Sequence, residues 1–283
     1  MTWDSSRHDC YRKKNTVNPK HAFRRSRHID VLASMSDVAF VDAREKQARG
    51  HWRDVIGKDM LRCNEIVLEI GCFDAEFLID IAHANPGVGF VGLDWKAAAL
   101  CKAAARIIEL GLKNIRLIHG RAQVVDEMFA PMELSEVWLL HPDPCDGENE
   151  LKNRLFSGEF LIRLANTMST DGLFLLKTDH PGYFQWAASA IGAACPDLRD
   201  GRRVKKSELM QDIDLPGKSD RAMELWNLLL LTANWWEDEV VASWIKGRLI
   251  EGRKTLFERR FVNKRWPIYG MELQRSRIDD ACD

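Results

Sequence analysis

From residue 66 onward, short apolar runs alternate with longer amphipathic stretches. Ile66-Val-Leu-Glu-Ile70 is compact, mostly aliphatic and stopped by Gly71, and it predicts a buried strand. Residues 74–84 then predict a helix and 88–93 a second strand. Residues 95–110 predict a helix, because Leu100, Ala104, Ile107 and Leu110 share one face and Gly111 supplies the stop. Strands are predicted at 115–119 and 136–140, a helix at 156–168 closed by Asp171-Gly172, a strand at 173–177 and a helix at 183–194. Upstream, residues 42–56 predict one helix with Ala48, Trp52, Val55 and Ile56 on a common side. Strands that are apolar throughout and alternate with helices imply an α/β fold, with a mostly parallel, doubly wound sheet covered on both faces.

After Pro196 the rhythm breaks. Residues 202–218 read as loop. Residues 219–251 read as two helices, one striped by Ala222, Leu225, Trp226 and Leu229, the other by Val241, Trp244, Ile245 and Leu249. Residues 266–273 read as a last strand. The expected organisation is a basic arm over 1–40 and one domain over 41–283, carrying a helical insertion at about 205–254.

Composition narrows the class. The chain has 283 residues, 46 % hydrophobic and 29 % charged, as expected of a globular protein with a sizeable core. No apolar stretch approaches the roughly 20 residues that span a bilayer, and the polar N-terminus lacks the apolar core of a secretory signal. Seven dispersed cysteines without a C-x-x-C pair suggest reduced thiols, neither a disulfide frame nor a zinc site, and a cytoplasmic protein with no metal. The net charge of −1 hides an asymmetry: residues 1–30 hold eight basic side chains (Arg7, Arg12, Lys13, Lys14, Lys20, Arg24, Arg25, Arg27) against Asp4, Asp9 and Asp30. A basic arm on an acidic body is one footprint of a polyanion binder; a solvated tail is the other reading.

In a doubly wound sheet, ligands bind beyond the carboxyl ends of the strands. The first strand ends in Glu69-Ile-Gly71, where glycine admits a close ligand, and the second in Gly92-Leu-Asp94, where an acid can take the hydroxyls of a ribose. Both patterns also occur as plain helix caps. The fourth strand ends in His141-Pro-Asp143-Pro144. Two prolines stop that strand and stiffen the loop, so Asp143 is aimed at the sheet's functional edge. The fifth ends in Lys177-Thr-Asp179, with Tyr183 beyond it; Asp179 reads either as a site carboxylate or as an N-cap.

The succession LEIG, GLD, HPDP, LKTD-x-x-x-Y and Thr255-Leu-Phe-Glu258-Arg-Arg260, followed by Pro267-Ile-Tyr269, resembles the bacterial tRNA (guanine-N7)-methyltransferase family. Leu110 to Leu117 and the basic His21 to Arg27 resemble it too. The resemblance implies a Rossmann-like methyltransferase that uses S-adenosylmethionine (SAM) and acts on tRNA. It implies SAM contacts at Glu69, Gly71, Asp94 and Asp143, and guanine contacts at Asp143, Asp179, Thr255 and Glu258, with Lys152 left from a basic phosphate-gripping stretch. Asp143 is its candidate catalytic residue.

Several positions depart from the family pattern. Gly71-Cys-Phe73-Asp-Ala75 keeps one glycine of a G-x-G-x-G loop, Arg121 replaces an acid, and the stretch after Pro144 is acidic, with only Lys152 and Arg154 in the basic register. Three readings stay open. The first is a divergent tRNA guanine-N7 methyltransferase whose basic arm grips tRNA. The second is a methyltransferase of the same fold acting on a small molecule. The third is a non-catalytic binding protein. The tryptophans of the insertion (Trp226, Trp235, Trp236, Trp244) read as packing, or as a surface for a protein partner or self-association.

Overall fold

The computed structural model describes residues 27–57, 65–147, 150–193 and 220–277. Most of the basic arm, up to residue 26, and the expected loop at 202–218 lie outside these residues. Eight strands form one sheet: β1 (Ala39–Phe40), β2 (Ile66–Ile70), β3 (Gly89–Asp94), β4 (Ile115–His119), β5 (Leu134–Leu140), β6 (Met168–Thr178), β7 (Trp226–Thr232) and β8 (Tyr269–Arg275). Their order is β1-β4-β3-β2-β5-β6-β8-β7. The pairs from β1 to β6 are parallel, whereas β8 runs antiparallel to both β6 and β7. The fold is an α/β Rossmann-like sheet, and its strand order reverses between β2 and β5, which opens a crevice at their carboxyl ends.

Successive strand residues face opposite layers, so one core forms on each face. Leu68, Ile70, Val137, Leu139, Phe174 and Leu176 pack with Trp52, Phe129 and Phe160 on one side. Val67, Trp138, Leu140 and Leu175 pack with Leu78, Leu100 and Trp235 on the other. Helices cover both layers: α1 (Arg27–Ser34), α2 (Glu45–Ala48), α3 (Trp52–Gly57), α4 (Glu76–Ala84), α5 (Ala97–Glu109), α6 (Val125–Met128), α7 (Gly158–Ala165), α8 (Pro181–Ala190), α9 (Asp220–Leu225), α10 (Glu239–Trp244) and α11 (Leu256–Asn263).

Two expectations are corrected. The single helix over 42–56 is two, α2 and α3, separated at Gly50 (φ +84°). The cause is distant in sequence: the buried Glu133 carboxylate accepts from the N–H groups of Gly50 (2.9 Å), Trp52 (2.8 Å) and Ala130 (2.8 Å), capping α3 from outside. The helical pair expected over 219–251 is not a pair. α9 and α10 are helical, but between them residues 226–232 form β7. Four consecutive leucines carry a helical bias that the backbone of β8 overrides by offering a ladder. Trp226 pins the strand: its indole N–H donates to the Leu161 carbonyl (3.1 Å) and its ring packs on Phe174. β7 and β8 thus extend the sheet past β6, and α11 meets β6 through the Glu258–Lys177 pair.

Candidate active site

The crevice is built first by the loop after β2. Gly71, Phe73 and Ala75 all take positive φ (77°, 52° and 53°), a conformation that only the glycine adopts without strain. Asp94 holds the loop in place. Its Oδ2 accepts from the Phe73 N–H (2.9 Å) and its Oδ1 from the Lys96 N–H (2.7 Å). Among the described residues, nothing lies within 4 Å of where a Cβ on Gly71 would stand. Behind the loop, Glu69 is 5 % exposed, and its Oε2 has no hydrogen-bond partner among the described residues. Burial, and then the negative charges of Asp94, Asp74 and Glu258, push its carboxyl up to about 8. A buried carboxylate with an unmatched oxygen is a site for a cation or a strong hydrogen-bond donor.

Phe73 and Trp95 form an open rim, 45 % and 60 % exposed. The Lys96 ammonium sits over both rings (5.4 and 5.6 Å), and the Arg121 guanidinium lies over Trp95 (5.9 Å). Phe73, standing where the family pattern has a glycine, is therefore an exposed aromatic wall at the mouth of the crevice.

The loop after β5 places Asp143 in the open, with its Oδ1 accepting from the Cys145 N–H (3.3 Å). Positive φ at His141 (52°) and Cys145 (48°) turns the chain on either side of the two prolines. Arg154 is the strut beneath. Buried to 5 % exposure, it donates to the Pro144 carbonyl (2.8 Å), the Gly182 carbonyl (3.0 Å) and Asp146 (3.2 Å), and its guanidinium lies over Tyr183 and Trp186. It ties the Pro-Asp-Pro loop to the start of α8, which corrects its reading as a phosphate contact. His180 caps α8: its Nδ1 accepts from the Tyr183 N–H (3.0 Å), so Nε2 carries the proton facing Asp146 (3.0 Å). Lys152 stands exposed on the 3-10 turn Leu151–Asn153.

The third wall comes from β6 and α11. Lys177 and Glu258 are fully buried and paired (3.0 Å). Thr255 and Glu258 form a capping box: the Thr255 N–H donates to Glu258 Oε2 (2.7 Å) and the Glu258 N–H to Thr255 Oγ1 (3.1 Å). Trp235 and Trp236 face the Lys177 ammonium at 4.5 and 5.2 Å. A Cβ on Gly270 would collide with the Trp235 ring, so the missing side chain is what lets the indole approach β8. Asp179, one quarter exposed, has its Oδ1 3.5 Å from His141 Nδ1.

The strand ends thus bring Glu69, Gly71, Asp94, Asp143 and Asp179 to one edge of the sheet. Thr255 and Glu258 sit behind that edge as the frame of α11, and Lys152 stands apart on its turn. Sequence reasoning did not single out His141, Arg154 as a strut, or the Lys177–Glu258 pair. The pair's one signal was a lysine ending an otherwise apolar strand.

The sequence model of a family described as "Putative methyltransferase" matches residues 63–212. A tRNA (guanine-N(7)-)-methyltransferase of Geobacillus kaustophilus is 30 % identical over 162 residues, 57 % of this chain and 72 % of that one. One from Cytophaga hutchinsonii is 34 % identical over 155 residues, 55 % of this chain and 68 % of that one. One from Christiangramia forsetii is 35 % identical over 133 residues, 47 % of this chain, and there the match spans only 58 % of the relative's length. With motifs in family order on a sheet of this topology, the chain belongs to the tRNA (guanine-N7)-methyltransferase family.

Proposed function

We propose that this chain transfers a methyl group from SAM to N7 of a guanine in tRNA. The observation that carries this reading is the buried Glu69 carboxylate at the switch point, whose Oε2 has no hydrogen-bond partner among the described residues, one strand from the exposed, proline-held Asp143. Bound there, SAM supplies an electrophilic methyl group on a cationic sulfur. Glu69 matches its positive and hydroxyl-rich parts, Gly71 leaves room for it, and Asp94 fixes the loop that closes over it. On the acceptor side, Asp143 and Asp179 present acceptors to the N–H edge of guanine. N7 carries no proton, so no general base is required. Its lone pair forms the new bond to the methyl carbon, and the breaking carbon–sulfur pair stays on sulfur. The chain contributes position and a negative charge beside a base that becomes cationic. Thr255 and Glu258 serve by seating α11, and the basic residues up to Arg27, with Lys152, supply phosphate contacts that an acidic body lacks.

The test is methyl transfer from labelled SAM to tRNA lacking the modification, with the product base identified by mass spectrometry. N7-methylguanine in tRNA is the expected result. SAM binding without transfer to tRNA would favour the small-molecule acceptor, for which the acidic stretch with Asp146 and Glu150 is suited.

Glu69 makes the cofactor side separately testable. A carboxyl titrating at about 8 must lose its proton to match a cation, so SAM affinity should rise with pH up to that value, by as much as about tenfold per unit. The stability of the ligand-free protein runs the other way. The folded-state value is raised, so Glu69's contribution is full below the ordinary carboxylate value of 4.5 and is lost as pH climbs through about 8. Glu69→Gln should abolish both dependences and weaken SAM strongly. Calorimetric titrations at several pH values decide it, and an unchanged wild-type affinity from about pH 6 to about pH 9 sinks the assignment.

A further inference from the structure

We propose that His141 is a positioning residue for the acceptor base, acting through Asp179. The inference rests on the guanine-methyltransferase reading above. His141 ends β5 with a side chain only 4 % exposed, and neither of its ring nitrogens has a hydrogen-bond partner among the described residues. Such a group is costly unless something pairs with it in the working state. Its backbone is fixed: its N–H donates to the Lys177 carbonyl (2.7 Å), and its φ of 52° is one that histidine and asparagine tolerate better than most residues.

The ring is held between the β5 edge and α11, with Phe257 and Phe261 at 5.9 and 5.8 Å. Four charged groups surround it. Asp143 is two residues along the same loop. Asp179 and Lys177 come from the end of β6, and Glu258 comes from α11, where the imidazole helps to hold that carboxyl down. Lys177 and Glu258 already satisfy one another. Asp179 also faces the ring, and its Oδ1 at 3.5 Å from Nδ1 is one small movement beyond a hydrogen bond. Contacts of this kind are often long without substrate and tighten when it binds.

The consequence is directional. With Nδ1 carrying its proton, the imidazole donates to Asp179, orients it and leaves a full negative charge for the guanine N–H edge. Without that donor the carboxylate can turn away from the base, so the loss falls on KM for tRNA.

Three variants separate the parts. His141→Asn places an amide N–H close to the position of Nδ1 and suits the positive φ, so it should keep most of the tRNA affinity. His141→Phe keeps an apolar ring and loses the donor; its KM for tRNA should rise about tenfold or more, with SAM affinity little changed. Asp179→Asn should raise KM for tRNA too, and adding His141→Phe to it should cost little more, because both changes break one contact. An unchanged KM in His141→Phe, or a His141→Asn variant as impaired as His141→Phe, overturns the proposal. If wild type binds SAM but methylates no tRNA, the function reading fails and the inference falls with it. If wild type is active and the variants match it, only the inference fails.

Discussion

Replacing Asp143 by asparagine is expected to slow single-turnover methyl transfer to tRNA by about 10²-fold or more, the scale of removing one positioned electrostatic group. The shape of the side chain is kept, and the asparagine carbonyl can still accept from the Cys145 N–H, as Oδ1 does now. The loop is also kept, because Pro142, Pro144 and the buried Arg154 strut define it without help from the carboxylate. Two things change. The negative charge beside the developing cation disappears, and an NH2 group faces the donor edge of the base where an acceptor stood. The loss should therefore fall on kcat at saturating tRNA and SAM, with SAM affinity and the unfolding midpoint nearly unchanged. Equal rates for wild type and Asp143→Asn would refute a catalytic role for this residue. A loss confined to KM would make it a binding residue only.

The sheet was largely readable because its signals are local. β2 and β4 occupy the residues their apolar runs predict, and the acids and glycines closing the strands fall on one edge because parallel strands end together. The failures came where partners are remote. Nothing within residues 42–56 shows that the Glu133 carboxylate will break the helix. Nothing in Leu228 to Leu231 shows that β8 will stand beside them. The chemistry of the site divides along the same line. Asp143 is legible because its two prolines adjoin it. Thr255, Glu258 and Arg154 have side chains whose roles depend on what they meet, and all three are buried against the frame of the site. Glu258 meets Lys177 across 81 residues of sequence. His141 gains its interest only from Asp179, on the neighbouring strand end.

That frame gives the largest expected effect on stability. Glu258→Gln should destabilise the fold by about 3–5 kcal/mol, the range for breaking a buried ion pair from one side. The glutamine keeps the volume and can still accept from the Thr255 N–H, so the capping box survives in outline and the change isolates the charge. What remains is the Lys177 ammonium at 0 % exposure with no counter-charge at 3.0 Å, faced by the rings of Trp235 and Trp236. Those rings already face the ammonium in the wild type, each attracting it by about 2 kcal/mol, so they gain nothing new when the carboxylate charge is lost. Burial alone would raise the Glu258 carboxyl; the Lys177 ammonium, His141 and the Thr255 N–H outweigh it and hold the group below its ordinary value. Burial pushes Lys177 down, against the pull of Glu258. The glutamate direction governs at neutral pH, where the pair is ionised. Because that folded-state value is depressed, the carboxylate's contribution is present above the ordinary value of 4.5 and is lost as pH falls through the lower folded one. The acid limb of wild-type stability should accordingly be shallower in Glu258→Gln. The decisive comparison adds Lys177→Met to Glu258→Gln. With the stranded charge gone, the double variant should recover about 2 kcal/mol or more of the loss, since replacing both members of a buried pair is often close to neutral. Urea unfolding of the four proteins measures the coupling. A Glu258→Gln loss under about 1 kcal/mol, or a double variant no more stable than the single, would mean that water or a shifted side chain already relieves Lys177.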